Sequence, residues 1–113
     1  MSLRTLATIF AVLAMGWCSL LVAAHAGPYP DAECGFNADK SALTVIASNG
    51  SGNSYACTAT CRYKVTGQRP IQTFNCNFAL GANAAEKTAC TLPGDGPGHF
   101  AETLPTRMIC EPR

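Results

Sequence analysis

The sequence predicts a small, mainly β domain, with an antiparallel sheet stapled by disulfides and preceded by a signal peptide. Two long stretches, residues 55–65 and 71–80, alternate between apolar and polar side chains. Alternation with a period of two is typical of half-buried strands and not of helices. Six cysteines follow an apolar N-terminal segment, and an even number of cysteines in a short exported chain indicates a disulfide framework.

The N-terminal segment has the three parts of a secretory signal peptide. Residues 1–4 are short and basic, residues 6–24 are almost wholly apolar, and Ala24-His25-Ala26 places small residues where a signal peptidase cuts. We therefore predict a signal peptide at residues 1–26, a single domain at residues 27–113, and a secreted or periplasmic protein. The alternative is an uncleaved segment over residues 5–24 that anchors the protein in a membrane.

Charge is balanced in the predicted domain. Of the eight Lys and Arg residues, only Arg4 precedes residue 27, so seven basic side chains remain against seven acidic ones. They are scattered, whereas a nucleic-acid binder needs a concentrated basic surface. We predict no nucleic-acid partner, and contact with a membrane only through an uncleaved signal segment because a polybasic run is missing.

The cysteines of the predicted domain are expected to form structural disulfides. A domain this short gains little stability from its core alone, and each disulfide can add about 2–4 kcal/mol. Cys57 and Cys61 are four residues apart on a predicted strand, about 13 Å, which is too far to share a metal or to bond to each other. We predict no metal and no cofactor; the six cysteines are Cys34, Cys57, Cys61, Cys76, Cys90 and Cys110.

The first predicted strands form a hairpin. Residues 31–40 are mixed and indicate an irregular arm, whereas residues 42–48 are rich in β-branched side chains and favour a strand over a short helix. Residues 49–53 contain two glycines and two asparagines, which are typical of a turn. If the turn is centred on Ser51, the strand at 42–48 pairs with the strand at 55–65, and Val45 lies opposite Cys57.

A second turn at residues 66–70 extends this hairpin into a three-stranded meander over about residues 42–80. With that turn centred between Gln68 and Arg69, Tyr63 faces Phe74 and Cys61 faces Cys76. The preferred disulfide is therefore Cys61–Cys76. Spacing alone does not choose among the remaining pairings, and we assign Cys34–Cys57 and Cys90–Cys110.

The C-terminal third is expected to hold short strands separated by loops. Strands are predicted at residues 87–92, 100–104 and 107–110, with a loop or single helical turn at 81–86 and a Gly/Pro-rich loop at 93–99. Asn49-Gly50-Ser51 matches the acceptor pattern for N-glycosylation, which matters only in a eukaryotic secretory pathway.

No catalytic constellation is evident in the sequence. His99 lies four residues after Asp95 and would be the general base of a small hydrolase, with a serine or threonine nucleophile. No nucleophile motif accompanies it, so an exposed loop histidine is the favoured interpretation. We predict no catalytic residue and no enzyme activity.

The central strand assigns its two faces to different roles. Tyr55, Tyr63, Phe74 and Phe78 share the cysteine-bearing face and are predicted to form the core. The reverse face is polar and mildly basic, and it is the first surface to test for a partner; its residues are Thr58, Thr60, Arg62, Lys64, Thr73, Asn75 and Asn77.

Three functions are therefore considered. The first is an exported binding module whose unidentified partner is a protein or a component of the cell envelope. The second is a secreted inhibitor or toxin-like effector that presents residues 93–99 or 67–70 as a rigid loop. The third is a small hydrolase that uses His99.

Overall fold

The computed structural model describes residues 28–113, which hold seven strands and no helix. The predicted signal peptide at residues 1–26 lies outside this range. No helix in the described range has the length and apolarity needed to cross a membrane. The strands are β1 (Pro30–Phe36), β2 (Ala42–Asn49), β3 (Tyr55–Val65), β4 (Gln72–Leu80), β5 (Lys87–Pro93), β6 (Phe100–Thr103) and β7 (Arg107–Pro112).

The strands form two antiparallel sheets that pack face to face. Sheet A has the order β1-β2-β5. Sheet B is centred on β3, which pairs with β4 along one side and with β7 and then β6 along the other. The predicted mainly β, antiparallel class is confirmed, and so are short strands near residues 87–92, 100–104 and 107–110.

Alternating side chains from both sheets build one core. Leu43 and Val45 point inward from β2, while Ala59 and Cys61 point inward from β3, and all four are fully buried. The period of two explains this arrangement, because every second residue of a strand faces the opposite sheet. The core therefore lies between the sheets, and both outer faces are available to solvent.

Among residues 28–113, Phe100 at the start of β6 is the largest fully buried side chain. Its ring stacks on Phe36 at a centroid distance of 5.2 Å and meets the edge of Tyr63 at 5.4 Å. Burial of a phenylalanine contributes about 1.5–3 kcal/mol. Tyr63 is buried as predicted, whereas Tyr55, Phe74 and Phe78 are only partly buried against the core.

The predicted hairpin between residues 42–48 and 55–65 is wrong. β2 pairs with β1 and β5 in sheet A, with Val45 beside Cys34 and Cys90, and it makes no ladder with β3. An apolar alternation shows which face of a strand is buried but not which strand is its hydrogen-bonded neighbour. Two strands with matching apolar faces satisfy the pattern equally well side by side or across a sandwich.

The hairpin of β3 and β4 is confirmed, but its predicted register is wrong by two residues. Cys61 lies opposite Phe74, and Cys76 lies opposite Ala59. The turn closes one residue earlier than predicted, because Gly67 adopts a φ of 81° and Gln68 N–H donates to Val65 C=O at 3.0 Å. A shift of two residues returns each side chain to the same face, so the apolar pattern does not detect it.

The irregular arm predicted for residues 31–40 is also wrong over most of its length. Residues 30–36 form β1, with Ala32 and Cys34 buried and the neighbouring Asp31 and Glu33 exposed. This strand is difficult to recognise in the sequence because polar residues occupy its outer face. The predicted loop at residues 81–86 contains no strand or helix and is confirmed.

The six cysteines among the described residues form three disulfides, Cys34–Cys61, Cys57–Cys110 and Cys76–Cys90. All three predicted pairings are wrong. Cys61–Cys76 depended on the β3–β4 register, which is shifted by two residues, and the other two pairings had no strand register to support them. Two of the disulfides join sheet A to sheet B, and Cys57–Cys110 joins directly opposed residues of β3 and β7 within sheet B. Three disulfides in a domain of this size are consistent with an oxidising compartment.

Candidate functional site: the polar face of sheet B

The outward side chains of sheet B form a continuous surface, which we call the polar face. It contains all seven residues that the sequence assigned to the reverse side of the central strand. Strand alternation places them there, because Cys57, Ala59 and Cys61 are committed to the core. The polar face comprises Ala56, Thr58, Thr60, Arg62, Lys64, Thr73, Asn75, Asn77, Ala79, Glu102, Arg107, Ile109 and Glu111.

Two cross-strand hydrogen bonds fix the side chains in the middle of this face. Thr58 Oγ1 donates to Asn77 Oδ1 at 2.7 Å, and Thr60 Oγ1 donates to Asn75 Oδ1 at 3.0 Å. Each bond joins residues that are directly opposite in the β3–β4 ladder. Since both amide oxygens are accepting and both residues are exposed, the amide NH₂ groups of Asn75 and Asn77 can donate to a ligand.

β7 adds three side chains that were not predicted for this face, those of Arg107, Ile109 and Glu111. Arg107 lies opposite Thr60, and Ile109 lies opposite Thr58 with 74% of its surface exposed. A signal for them existed: if Cys110 points inward, strand alternation sends Ile109 and Arg107 outward. Their place beside the threonines could not be inferred, since it depends on the pairing of β7 with β3.

The charges of the polar face are unevenly paired. Lys64 Nζ lies 3.5 Å from Glu102 Oε1 in a half-exposed ion pair, which contributes little to stability. Arg62 and Arg107 are diagonal neighbours, because Arg107 is opposite Thr60. Within residues 28–113 no carboxylate lies within 4.0 Å of either guanidinium, so both are available to an external anion.

The outer face of sheet A has a different character. Asp31 and Glu33 of β1 line a concavity of about 310 Å³ together with Ile46 of β2 and with Glu86, which precedes β5. No Lys or Arg side chain lines it. It has no grouping of ligands for a metal ion, and none exists elsewhere in the part of the chain that the structure describes.

His99 is placed by packing. Its ring meets Phe100 edge-on at 4.7 Å, and its Nδ1 lies 3.6 Å from Oδ2 of the exposed Asp95, which is too long for a hydrogen bond. A Cβ on Gly94 would lie 2.7 Å from the ring, so only glycine fits there. Among the described residues no serine or threonine hydroxyl is hydrogen-bonded to His99.

The predicted presenting loop at residues 93–99 is tied to its neighbours. Gly94 N–H donates to Ser41 C=O at 2.7 Å, and Gly98 N–H donates to Asp39 C=O at 2.7 Å. On the other side, the Thr66 hydroxyl donates to Gly98 C=O at 2.7 Å. The loop is therefore held between the β1–β2 and β3–β4 turns, and its tip around Asp95 remains exposed.

Asn49 of the glycosylation pattern is fully buried at the end of β2. Its Nδ2 donates to Asn53 C=O at 2.7 Å and to Gly81 C=O at 2.8 Å, while its Oδ1 accepts from Ser51 N–H at 3.0 Å. A glycan on this amide would break these bonds, so the folded domain does not present Asn49 as an acceptor.

The chain matches no protein-family model, and neither the curated proteins nor the solved structures include a significant match. Its function is therefore inferred from its own surfaces.

Proposed function

We propose that the protein is an exported, non-enzymatic binding module, secreted or periplasmic, which engages an acidic protein partner through the polar face of sheet B. The observation that supports this most is the exposed Ile109 with hydrogen-bonding and cationic side chains around it. Protein interfaces combine an apolar anchor with a polar rim, and arginine is enriched in them. In this domain the polar side chains around Ile109 are those of Thr58, Thr60 and Arg107.

The positive charge of Arg62 and Arg107 favours an acidic partner. Arg62 and Arg107 have no carboxylate partner among residues 28–113, so an acidic surface would gain charge-assisted hydrogen bonds from both. Ion pairs at the rim of an interface act mainly on the rate of association and on specificity. The apolar contact with Ile109 is expected to supply the larger part of the affinity.

Rigidity supports the same role. The polar face lies on β3, which is flanked on both sides by paired strands and is joined to β7 by the Cys57–Cys110 disulfide. The Thr–Asn hydrogen bonds hold the exposed side chains before a partner arrives. Preorganisation of this kind lowers the entropy lost on binding.

The test is retention of partners from the exported fraction of the source cells, with oxidised protein as bait. The double variant Arg62→Glu/Arg107→Glu should lower retention of the bound protein at least about tenfold, since two favourable contacts become repulsive. Ile109→Ala should lower it by about fivefold or more, as expected for an anchor worth over 1 kcal/mol.

The matched control reverses two charges on the other sheet. Asp31→Lys/Glu33→Lys changes as many charges on an exposed β1 surface and should retain the partner as well as the wild type does. Equal loss in both double variants would contradict the proposal, and so would a retained component that is glycan or lipid.

A second candidate, a secreted inhibitor, is favoured by the anchoring of residues 93–99. Inhibitory loops gain affinity from being held in one conformation. Asp95→Arg changes the exposed tip and leaves the main-chain anchors in place. Under this candidate it would abolish partner retention, whereas the polar-face double variant would leave retention unchanged.

A further inference from the structure

The four edges of the two sheets differ in how well they are protected against strand addition. Edge strands of natural proteins carry charges, prolines or bulges, which prevent pairing with another chain. β1, β5 and β7 each contain at least one proline and one charged residue, and β5 also has a register irregularity. β4 is a nine-residue edge strand with no charge, proline or glycine in Gln72–Leu80.

The main-chain groups on the open side of β4 can be identified from the ladder. Arg62 C=O accepts from Leu104 N–H, so the main-chain groups of Arg62 point away from β4. Those of Tyr63 then point toward β4, where Tyr63 pairs with Gln72. Alternation directs even-numbered residues of β4 to β3 and leaves Thr73, Asn75, Asn77 and Ala79 with their N–H and C=O groups at the edge.

Lys87 closes one end of this edge. Its Nζ donates to Ala79 C=O at 3.4 Å. This contact agrees with the assignment of Ala79 to the open side. The unoccupied part of the edge is therefore centred on Asn75, with Thr73 and Asn77 on either side.

We propose that the β4 edge pairs antiparallel with the β4 edge of a second copy of this chain, about a two-fold axis at Asn75. Asn75 then faces Asn75 of the other copy, and Thr73 faces Asn77, so three residue pairs exchange about six main-chain hydrogen bonds. The two sheets B become one continuous sheet.

The partner that this edge fits is the same edge of a second copy of the chain. A two-fold axis brings identical segments together, so any charge on β4 would face itself or a near neighbour, and β4 has none. The register centred on Asn75 also leaves Ala79 outside the hydrogen-bonded pairs, so the Lys87 contact is kept. A register centred one residue later would pair Thr73 with Ala79 and displace Lys87.

The test is the mass of oxidised protein, secreted from the full coding sequence, measured by sedimentation equilibrium up to millimolar concentration. The wild type should reach twice the monomer mass. Asn75→Lys should remain a monomer, because two lysines would meet at the axis. Ala101→Lys adds the same charge at an exposed residue of β6, on the opposite side of sheet B from β4, and should still dimerise.

A mixture of variants tests the register itself. Asn75→Glu should also be monomeric alone, and mixing it with Asn75→Lys should restore dimers that contain one chain of each. Intact mass and near-ultraviolet circular dichroism establish that each variant retains its disulfides and its packing. A monomeric wild type, a dimeric Asn75→Lys variant, or failure of the mixture to dimerise would each overturn the proposal.

Discussion

Sheet A and sheet B share one core but differ in construction and in outer surface. Sheet B has four strands around β3 and contains an internal disulfide, Cys57–Cys110. Sheet A has three strands around β2 and is held covalently only through its links to sheet B, Cys34–Cys61 and Cys76–Cys90. The outer face of sheet A is concave and acidic, whereas that of sheet B carries ordered Thr–Asn rows and two arginines without carboxylate partners among residues 28–113.

This difference indicates that the two sheets have different roles. Sheet B holds its exposed side chains in place with cross-strand bonds, which is useful for recognition. Sheet A closes the core and presents main-chain anchors for residues 93–99. If sheet B is the more strongly restrained of the two, the loss of its internal bonds should cost more stability than the loss of comparable bonds in sheet A.

The largest effect is expected from removal of the disulfide inside sheet B. Its sequence separation is 53 residues, against 27 for Cys34–Cys61 and 14 for Cys76–Cys90. In the chain-entropy model the three contribute about 4, about 3.5 and about 3 kcal/mol. Cys57→Ala/Cys110→Ala should therefore lower the free energy of unfolding most, as measured by urea denaturation.

The matched control is Cys76→Ala/Cys90→Ala, which removes the same atoms from the shortest loop. It should be the least destabilised of the three double variants. If it proved the least stable instead, linkage between the sheets would matter more than restraint of sheet B, and the comparison would be reversed.

The next largest effect concerns the passage from sheet A to sheet B. Asn49→Ala removes two hydrogen bonds donated to carbonyls and one accepted from Ser51 N–H. We expect a loss of about 2 kcal/mol, because the buried amide joins the end of β2 to the segment that follows β4. Urea denaturation measures it, and Asn53→Ala, at an exposed side chain in the same turn, should change stability by less than about 0.5 kcal/mol.

A smaller effect compares the two outer faces directly. Thr58→Val removes a hydrogen bond of 2.7 Å on sheet B, while Thr44→Val removes one of 3.4 Å on sheet A. Both replacements keep a β-branched side chain, so strand propensity is preserved. Thr58→Val should cost about 0.5–1 kcal/mol and Thr44→Val less. If both variants lost the same free energy of unfolding, the Thr58–Asn77 hydrogen bond would stabilise sheet B no more than the Thr44 bond stabilises sheet A.

The smallest effect is the pH dependence contributed by the β1–β2 turn of sheet A. Hydrogen bonds from the Ser41 side chain and then from its backbone N–H lower the pKa of Asp39, which is fully exposed. The folded pKa is lower than the unfolded value of about 4, so this stabilisation is complete above that pH and is lost as pH falls through the folded pKa.

Asp39→Asn should therefore lose less stability than the wild type between pH 5 and pH 2, in a series of urea titrations at about unit pH steps. Asp31→Asn is the control, because the Asp31 carboxylate accepts no hydrogen bond from the described residues. A larger change for Asp31→Asn than for Asp39→Asn would contradict the assignment to the Ser41 bonds.

Several features of the fold could be predicted because they depend on local chemistry. The alternation in residues 55–65 identified β3 and both of its faces, and the turn residues near Gly67 located the hairpin to β4. The polar face was predicted in part for the same reason, since the inward cysteines fix the direction of Thr58, Thr60 and Arg62. Ile109 and Arg107 joined it only through the β7 ladder.

The pairing of strands and of cysteines could not be predicted from side-chain alternation. The alternation stays the same when one strand slides by two residues along its partner, and it does not show which strand is the hydrogen-bonded neighbour. Val45 satisfies its apolar requirement beside Cys34 as well as it would beside Cys57. The sequence by itself determined the approximate positions of β2 to β7, the buried faces of β3 and β4, and the even set of cysteines that accompanies them, but it did not identify β1. Only the tertiary structure decided that β2 lies across the core from β3, which cysteines meet, and which edge of the sheet stays open, because these depend on contacts between residues far apart in the chain.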